Sequence, residues 1–595
     1  MLDDLPHARL NQCHRLVLIL VLSVLWHCPG ARANPSGPIS WGQTVNVAGG
    51  GWGRMIPLTN GHWLCVSTVF PAGTNSYLAL YRSTDQCRTW SRISQVNESA
   101  RTLDNGELVA LTNGTLLLTM RSLVDGVSYR LPVYRSTNNG VSWSYLSNID
   151  TSEGLGTRGL WEPDLWVLGD GRVTVTYSNE KHDGYSQLIS QKTSSDGGAT
   201  WGAETYAVAQ PGGGSLRPGM SQMTRMANGK YILVCEVVGL GNADVYSKIS
   251  ADGVTWPAGL GQRVPCQHCG PFITSLPDGW LLISSCENQY SMSDDFGESW
   301  QKIDPPAWDI GYGFSWPAVY AIRTNEVGAM VTWGGVKIRF GALSPPRFWP
   351  NPFTEQFSTG TDTNWSRYGT NFTFSNGRYV LTNSGSFGKA LVGDTFWTDG
   401  SLEADVLITV GGDAGLMFRT TNPDYVGPDH AFGYYAGLSA SGSVVLGRMS
   451  NSWTHLTSAP VTLTLNTWYR LKITMQGSSI KVFVNDLVQP KITWTDATFR
   501  RGQIGVRSFH ANAQFDNISF SNAAPIRLNL QRSGNLLNFT WPQNSQNLQV
   551  CSAVPPVTAA AWNVLTNPGA LSNGQWSLDL PMPAALQQFY QLQAR

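Results

Sequence analysis

The sequence predicts an all-β protein of several domains, and three observations support this: the length, the composition and two interleaved repeats. A chain of 595 residues is too long for one hydrophobic core. It has 62 Gly and 24 Trp, while charged residues make up only 13%. This balance is typical of turn-rich sheets rather than of helices.

The first repeat is a short turn motif that ends in tryptophan and recurs at a period near fifty residues. Its five copies are "STDQCRTW" from Ser83, "STNNGVSW" from Ser136, "SSDGGATW" from Ser194, "SADGVTW" from Ser250 and "SDDFGESW" from Ser293. Such a period indicates stacked supersecondary units. In each copy a side-chain oxygen can satisfy turn amides, so we expect these acidic residues to be structural.

The second repeat is a pair of apolar runs joined by a tight turn. The six copies begin at Arg54, Asn105, Glu162, Gly219, Gly270 and Ser315. Five of them carry Asn-Gly or Asp-Gly at the turn, which is a strong hairpin signal. Six hairpins predict a six-bladed β-propeller over residues 38–345, and we expect the segment 40–47 to supply the outer strand of the sixth blade.

The composition changes after a proline-rich linker at residues 344–353. Alternating strands over residues 353–521 predict a jelly-roll β-sandwich, and the short strands of residues 525–595 predict a small C-terminal β module. In the sandwich, Asp413, Arg419 and Tyr435 are candidates for holding a terminal sugar. Such a module would raise the effective concentration of the protein on a polymer.

The candidate catalytic residues are Glu162 and Glu236. Blades begin at the central axis, so residues that open inner strands or end second strands are expected at the channel mouth. Glycosidic cleavage needs one carboxyl as acid and another as nucleophile or base. Glu162 and Glu236 would supply that pair from consecutive blades, and burial beside Trp161 is expected to raise one pKa and suit that carboxyl to acid catalysis.

The turn motif resembles the Asp-box of the sialidase superfamily. Within it, "GLWEPDLW", "YSNE" and "RPGMSQMTRMANGKYILVCE" look most like the exo-1,5-α-L-arabinanases of glycoside hydrolase family 93. The resemblance implies an exo-acting, retaining hydrolase with Glu162 and Glu236 as catalytic residues, and Glu180 as the main rival for either role. The implied sugar-binding residues are Arg54, Asp104, Asn105, Arg121, Glu180, Arg217 and Trp316. The sandwich resembles concanavalin-like and laminin-G-like carbohydrate-binding modules.

Two alternatives remain open at this stage. In an exo-α-sialidase, Arg54 of "GRMIP" would clamp a carboxylate, and Tyr312 or Tyr320 would be the nucleophile. Yet that family uses three such arginines, and the fifth blade opens with "HCGPF". In a non-catalytic propeller, the carboxylates would only accept hydrogen bonds from a bound sugar.

The remaining features concern location and partners. Residues 1–33 read as a signal peptide, so we expect a secreted, periplasmic or surface protein that is soluble after cleavage. The 40 basic and 40 acidic residues cancel, which disfavours nucleic acid as a partner. We expect a monomer with a polysaccharide or oligosaccharide substrate and with no metal or other cofactor. Seven cysteines remain after cleavage, and Cys65 with Cys87 and Cys266 with Cys269 are plausible disulfide pairs.

Overall fold

Strands make up every regular element that is described in the computed structural model, which confirms the predicted all-β class. The structure describes residues 39–594 except 155, 278, 287–289, 294–295, 304–305, 309–314, 344–351, 396, 523–527, 543–547, 554–562, 566–569, 573–574 and 582–588. The predicted signal peptide and most of the predicted linker lie outside the described residues, as does Tyr312. No helix in the described part is long and apolar enough to cross a membrane.

Six antiparallel four-stranded sheets form the blades of the predicted propeller. Their strands are β1 (Ile39–Ala48), β2 (Gly51–Pro57), β3 (Trp63–Val69), β4 (Tyr77–Ser83), β5 (Ser91–Val96), β6 (Thr102–Ala110), β7 (Leu116–Val124), β8 (Ser128–Ser136), β9 (Ser144–Glu153), β10 (Leu160–Val167), β11 (Val173–Asn179), β12 (Leu188–Ser194), β13 (Thr205–Val208), β14 (Arg217–Arg225), β15 (Tyr231–Val238), β16 (Asp244–Ser250), β17 (Gln262–His268), β18 (Phe272–Ser275), β19 (Leu281–Ser284), β20 (Tyr290–Ser293), β21 (Gln301–Ile303), β22 (Ser315–Arg323), β23 (Glu326–Thr332) and β24 (Val336–Leu343).

The ring closes through the N-terminal strand, as the sequence predicts. Blades one to five each take four consecutive strands, from β2–β5 to β18–β21. The sixth sheet has the order β1-β24-β23-β22, so β1 is its outer strand. First and last strands thus share one sheet, which leaves no open blade at the junction.

The tryptophan-ending motifs lie at the turn between the third and fourth strands of the blades. In the first copy, the Ser83 hydroxyl and the Thr89 amide donate to Asp85 Oδ1 over 2.8 and 2.9 Å. The Thr89 hydroxyl contributes most to lowering the pKa of Asp85 to about 2. Cys87, which replaces the usual glycine, has φ +68°. The aspartate therefore organises its turn, as expected.

The inner strands share a β-bulge that positions the axial residues. In five blades one extra residue on the inner strand shifts the register against the second strand. At the bulge, Trp52, Asn105, Glu162, Met220 and Trp316 all have φ between 47° and 55°. Such backbone is uncommon for non-glycine residues and concentrates at functional sites.

The second part of the chain forms a two-sheet sandwich. Its strands are β25 (Phe353–Glu355), β26 (Ser366–Gly369), β27 (Phe372–Ser375), β28 (Arg378–Thr382), β29 (Phe387–Val392), β30 (Gly400–Val410), β31 (Asp413–Thr421), β32 (Phe432–Ser439), β33 (Ser443–Ser450), β34 (Trp453–Pro460), β35 (Trp468–Gln476), β36 (Ser479–Val484), β37 (Ile492–Thr495), β38 (Gln503–Phe509) and β39 (Asn512–Asn522). One sheet has the order β27-β28-β39-β30-β35-β36-β37, with β25 beside β39, and the other has the order β26-β29-β38-β31-β32-β33-β34. Alternate residues of both sheets, such as Leu416 and Phe515, fill one core between them.

Two small sheets follow. Their strands are β40 (Asn529–Ser533), β41 (Leu536–Pro542), β42 (Leu548–Ala553), β43 (Asn563–Val564), β44 (Ala570–Ser572), β45 (Gln575–Pro581) and β46 (Phe589–Ala594). The orders are β40-β41-β45-β44 and β43-β42-β46, and Phe539 and Val550 share a core between the sheets. This agrees with the predicted small β module.

The sandwich contacts the outer strand of the fifth blade. The Asn422 amide donates to the Trp300 carbonyl over 3.1 Å and accepts from the Lys302 amide over 2.5 Å. Gln301 donates to the Thr395 carbonyl over 3.2 Å. The side chain of Asn422 thus binds the backbone of the outer strand in the way that a neighbouring strand would.

Candidate active site

In the five blades that have the bulge, it creates equivalent positions near the central axis of the propeller. Directly paired residues at the bulge are Gly51 with Thr68, Asp104 with Arg121, Trp161 with Ser178, Gly219 with Glu236, and Ser315 with Thr332. Glu162 follows the third of these pairs on its inner strand, whereas Glu236 belongs to the fourth pair on its second strand. The two predicted catalytic residues therefore approach the axis from neighbouring blades and different strands.

Glu162 lies half-buried at its bulge and accepts hydrogen bonds from neutral donors. The Ser178 hydroxyl donates to Glu162 Oε2 over 2.8 Å, and the Met220 amide donates to the same oxygen over 3.4 Å. Burial raises the pKa of Glu162, while these donors and the charge of Arg121 oppose the rise. The carboxylate is thus held in place without a direct ion pair.

Glu236 is more deeply buried and accepts hydrogen bonds from an amide and a thiol. The Gly270 amide donates to Glu236 Oε2 over 2.7 Å. Burial is the main cause that raises the pKa of Glu236 to about 7, and the charge of Glu162 adds to the rise. The Cys269 thiol also donates to this carboxyl and opposes the rise. At neutral pH a large fraction of Glu236 therefore carries a proton.

Gly219 lies beside Glu236 and beside the Ser178 hydroxyl that holds Glu162. A Cβ built there would lie 3.5 Å from Ser178 Oγ, which holds Glu162, and 3.7 Å from Glu236 Oε1. It would also lie 2.8 Å from Gln187 Nε2. Any side chain at this position would crowd the polar groups on both sides.

The second blade contributes the predicted sugar-binding residues Asp104, Asn105 and Arg121. Arg121 pairs with Asp104 Oδ2 over 3.2 Å, and its guanidinium lies 4.1 Å from the centroid of the Trp161 ring. Arg121 Nε and Asn105 Oδ1 are buried and have no hydrogen-bond partner among the described residues. These atoms can bind polar groups of a ligand.

Arg217 and Glu180 form another wall, on the third and fourth blades. Arg217 Nη2 lies 2.5 Å from Glu180 Oε1, and it also donates to Gln187 Oε1 over 2.7 Å. The other Glu180 oxygen accepts from the Gly159 amide over 2.9 Å. Glu180 is thus an ion-pair partner, which makes it a weaker rival for a catalytic role than its sequence context suggests.

Arg54 does not lie where the sequence predicts a sugar-binding residue. The bulge makes Trp52, not Arg54, the equivalent of Glu162, and Arg54 is fully buried. Its Nε lies 3.5 Å from Glu107 Oε2, and its Nη1 donates to the Trp316 carbonyl over 3.3 Å. The sequence analysis placed Arg54 at the start of the second apolar repeat because nothing in the sequence shows that the bulge adds a residue to the inner strand.

Below the bulges lies a second set of buried polar residues that the sequence analysis missed. Burial raises the pKa of Glu107 to about 7 and raises that of Asp164 well above its usual range. The Met223 amide donates to Asp164 Oδ2 over 3.0 Å. Asp164 is only 3% exposed, so it lies beneath the site although it is two residues from Glu162.

Trp316 and Tyr320, both on the inner strand of the sixth blade, lie at different depths. Trp316 occupies the bulge of the sixth blade, equivalent to Glu162, and its ring centroid lies 5.7 Å from that of Trp52. Tyr320, a candidate sialidase nucleophile, is buried, and its hydroxyl oxygen accepts from the Met55 amide over 3.1 Å. Trp316 is at the axial surface, whereas Tyr320 is in the core.

In the sandwich, Asp413 and Tyr435 come together as predicted, but Arg419 does not join them. Arg419 is buried and pairs with Asp399 over 2.9 Å, and it donates to the Thr398 carbonyl over 3.1 Å. It lies six residues from Asp413 along β31, roughly 20 Å at 3.3 Å per residue. The structure thus gives Arg419 structural partners and places it away from Asp413 and Tyr435.

The arginine that does meet Asp413 is Arg507, on β38. Arg507 pairs with Asp413 over 3.2 Å and with Asp429 over 2.8 Å, and the Tyr435 hydroxyl donates to Asp413 over 2.7 Å. The guanidinium lies 4.4 Å from the Tyr435 ring centroid and 5.7 Å from that of Trp453. Sequence reasoning missed Arg507 because β31 and β38 pair across some ninety residues of chain.

Comparison with known proteins agrees with the architecture. Residues 35–256 match the protein-family model described as a BNR repeat-like domain, which confirms the predicted Asp-box propeller resemblance. Residues 353–521 match the model described as a 3-keto-alpha-glucoside-1,2-lyase-like domain. The search of curated proteins gave no match. The chain thus carries a BNR repeat-like domain followed by a sandwich of the lyase-like type.

Three solved structures illustrate the likeness. An α-L-arabinanase of Penicillium chrysogenum complexed with arabinobiose is 23% identical, with a TM-score of 0.46, over 51% of this chain and 99% of that one. A sialidase of Trypanosoma rangeli is 12% identical, with a TM-score of 0.43, over 81% and 92%. The carbohydrate-binding module CBM66 of Bacillus subtilis is 21% identical, with a TM-score of 0.24, over 27% and 96%. These similarities are too low to assign an activity.

Proposed function

We propose that this protein is a secreted, exo-acting glycoside hydrolase that cleaves an arabinan-type polysaccharide with retention of configuration. Glu162 is the nucleophile and Glu236 is the general acid and base. The observation that carries the proposal is that Glu236 and the Ser178 hydroxyl that holds Glu162 both lie beside Gly219, and that the charge of Glu162 acts on Glu236. Two carboxyl groups with different hydrogen-bond partners are what this chemistry needs.

Glu236 suits the acid role because it binds a proton near neutral pH. Its pKa of about 7 lets the carboxyl protonate the leaving oxygen, and the resulting carboxylate can then deprotonate water. Such proton transfer contributes roughly 10²–10⁴-fold to the rate. The sequence analysis expected the acid beside Trp161, whereas the carboxyl with a pKa of about 7 is that of Glu236.

Glu162 suits the nucleophile role because its donors favour the ionised form and oppose the rise in pKa that burial causes. The Ser178 hydroxyl and the Met220 amide both bind Oε2, which leaves Oε1 for attack at the anomeric carbon. The bond that forms joins Glu162 to the sugar, and the glycosidic bond breaks as Glu236 gives its proton to the leaving oxygen. Water then cleaves the glycosyl-enzyme, and Glu236 recovers a proton from that water.

The surrounding polar atoms support a sugar ligand. Arg121 Nε can donate and Asn105 Oδ1 can accept, and neither has a partner among the described residues. Sugar hydroxyls both donate and accept, so they can satisfy atoms of either kind. Trp316 adds an aromatic surface at an equivalent position across the ring.

The proposed substrate, the exo action, the retention of configuration and the secretion of the protein are supported by the sequence alone. Arabinan as substrate, exo action and retention come from the resemblance of "GLWEPDLW" and its companions to exo-1,5-α-L-arabinanases, and secretion comes from residues 1–33. The cluster around Arg507 supports a sandwich that holds the polymer. The burial of Arg54 and Tyr320 argues against the sialidase alternative.

The test is product analysis with matched variants. We expect debranched arabinan to yield arabinobiose alone, with no sialic acid from sialyllactose, and proton NMR to show the retained anomer first. Glu162→Gln and Glu236→Gln should abolish turnover but keep oligosaccharide binding. Glu153→Gln, which changes an exposed glutamate at the end of β9, should behave as the wild type.

Three outcomes would contradict the proposal. Release of sialic acid would make the protein a sialidase. Binding of sugars without turnover on any substrate would make the propeller a lectin. Full activity in either Gln variant would remove that glutamate from the chemistry.

A further inference from the structure

The fifth blade carries two cysteines at its axial positions. The Cys286 amide donates to the Cys269 carbonyl over 3.0 Å. This hydrogen bond continues the pairing of the first two strands, in which Phe272 pairs with Ser284. It lies beyond the place where the other blades have the bulge. The pair therefore occupies the place that Gly219 and Glu236 hold in the fourth blade. Two cysteines stand where other blades present Asp104 with Arg121 or Trp161 with Ser178.

The two sulfur atoms are already close. Cys286 Sγ lies 2.9 Å from Cys269 Sγ, and both residues are half-buried. Directly opposed residues in antiparallel strands have Cα atoms about 4.5–5.5 Å apart, which is within the range of about 4.4–6.8 Å seen in disulfides. Little backbone movement is needed for a bond between them. The sequence had suggested Cys266 as the partner of Cys269, because it is nearer along the chain.

We propose that Cys269 and Cys286 form a disulfide at the rim of the active site, beside Glu236. The bond forms by exchange with a small-molecule disulfide such as oxidised glutathione. The Cys286 thiolate attacks one sulfur of the oxidant and releases the first thiol, and the Cys269 thiolate then attacks Cys286 Sγ and releases the second. The two cysteines lose two protons and two electrons, and the disulfide of the oxidant is reduced to two thiols.

The bond affects Glu236 because Cys269 contacts it. In the dithiol form the Cys269 thiol donates to the Glu236 carboxyl and favours its ionised form. In the disulfide form that hydrogen is gone, so the pKa of Glu236 rises. The oxidised enzyme should keep Glu236 protonated to a higher pH. This second part rests on the proposed function, whereas the bond itself does not.

The first experiment detects the bond by mass. The full-length mature protein is equilibrated in mixtures of reduced and oxidised glutathione, alkylated and digested without reduction. We expect a cross-linked pair of peptides containing Cys269 and Cys286, with the alkylation of both falling together as the mixture becomes more oxidising. Cys266→Ser should keep the cross-link and Cys286→Ser should abolish it. A bond from Cys266 to either residue, or full alkylation of both in oxidised glutathione, would overturn the proposal.

The second experiment measures the effect on Glu236. We expect the basic limb of the kcat/KM profile to shift to higher pH in the oxidised protein and to shift back on reduction. Cys266→Ser should show the same shift, and Cys286→Ser should show none. If the bond forms in an active enzyme and the profile does not move, the influence on Glu236 is refuted. If no glycoside is hydrolysed, the proposed function fails while the mass result still decides the bond.

Discussion

The propeller and the sandwich each gather carboxylates and aromatic rings, but they treat the charge differently. In the propeller, Glu162 and Glu236 accept hydrogen bonds from hydroxyl, amide and thiol donors. Neither carboxyl group forms an ion pair with a described residue. In the sandwich, Asp413 and Asp429 both contact the Arg507 guanidinium. Burial raises the pKa of Asp413 as well, while the charge of Arg507 and the Tyr435 hydroxyl oppose the rise.

Under the proposed function, this difference separates a reactive site from a site that only holds the sugar. A carboxyl that must gain and lose a proton needs a pKa near the working pH, and a contacting cation would prevent this. A carboxylate that only orients hydroxyl groups is better fixed by an arginine. We therefore expect changes in the propeller site to alter turnover and changes in the sandwich cluster to alter polymer binding.

The largest expected effect is that of removing the acid. Glu236→Ala should lower kcat on arabinan by roughly 10²–10⁴-fold, because the leaving sugar oxygen then departs without a proton. An aryl glycoside with a good leaving group needs no such proton, so its bond cleavage should be far less affected. Steady-state kinetics on both substrates measure the difference. Glu162→Ala is the control that should lose both activities, and equal losses for Glu236→Ala would remove its acid role.

The next effect concerns stability, again at Glu236. A carboxyl whose pKa rises from 4.5 to about 7 on folding adds stability below pH 4.5, and this is lost as the pH rises through 7. At about 1.4 kcal/mol per pKa unit, the loss is on the order of 3 kcal/mol. Glu236→Gln cannot titrate, so its stability relative to the wild type should increase between pH 4 and pH 8 by roughly that amount.

Urea denaturation of both proteins across this pH range measures the effect. Glu107 and Asp164 also titrate, but they are present in both proteins and their contributions cancel in the difference. Parallel stability curves for the two proteins would show that burial does not raise the pKa of Glu236.

The sandwich side of the comparison is tested at Trp453. This ring is 36% exposed, lies beside Arg507 and covers Gly447, where a Cβ would be 2.0 Å from the ring. Trp453→Ala should weaken binding to insoluble arabinan by about tenfold, because burying an aromatic surface against a ligand is worth at least 1–2 kcal/mol. Turnover of short soluble substrates should not change.

Depletion assays on the polymer and kinetics on a soluble oligosaccharide measure the two effects. Trp468→Ala, which changes a half-buried tryptophan on the other sheet, is the matched control and should bind as the wild type. An equal loss in both variants would mean that the Arg507 cluster holds no sugar.

The sequence predicted the ring well because its signals are local. Asn-Gly and Asp-Gly turns and tryptophan-ending motifs repeat at fixed spacing, and each identifies a hairpin without reference to the rest of the chain. The closing role of β1 followed from the missing strand of the sixth blade. Glu162 and Glu236 could be proposed as candidates because their positions within the repeats could be counted.

The sequence could not predict features that depend on register or on distant pairing. One extra residue per inner strand places Trp52 rather than Arg54 at the axis, and nothing in "GWGRMIP" indicates that residue. Arg507 reaches Asp413 only because β38 pairs with β31. Cys286 faces Cys269 for a related reason, since the two residues meet only through the pairing of the first two strands of the fifth blade.

The smallest expected effect tests the neutral donor on the nucleophile. Ser178 is fully buried, and its hydroxyl donates to Glu162 over 2.8 Å, so Ser178→Ala removes one hydrogen bond to the ionised form. A hydrogen bond to a charged group is worth about 1.5 kcal/mol, so kcat should fall roughly tenfold. The pKa of Glu162 should rise, which moves the acidic limb of the kcat/KM profile to higher pH.

The control for this variant is Ser221→Ala. Ser221 is equally buried and donates to the Thr176 hydroxyl over 2.9 Å, so its loss removes a hydrogen bond of similar length without touching either carboxyl group. It should leave the acidic limb in place. An acidic limb that moves equally in both variants would show packing, not the donor on Glu162, to be the cause. If only Ser178→Ala moves it, a neutral donor sets the pKa of the nucleophile, which is the feature that distinguishes this site from the arginine-held carboxylates of the sandwich.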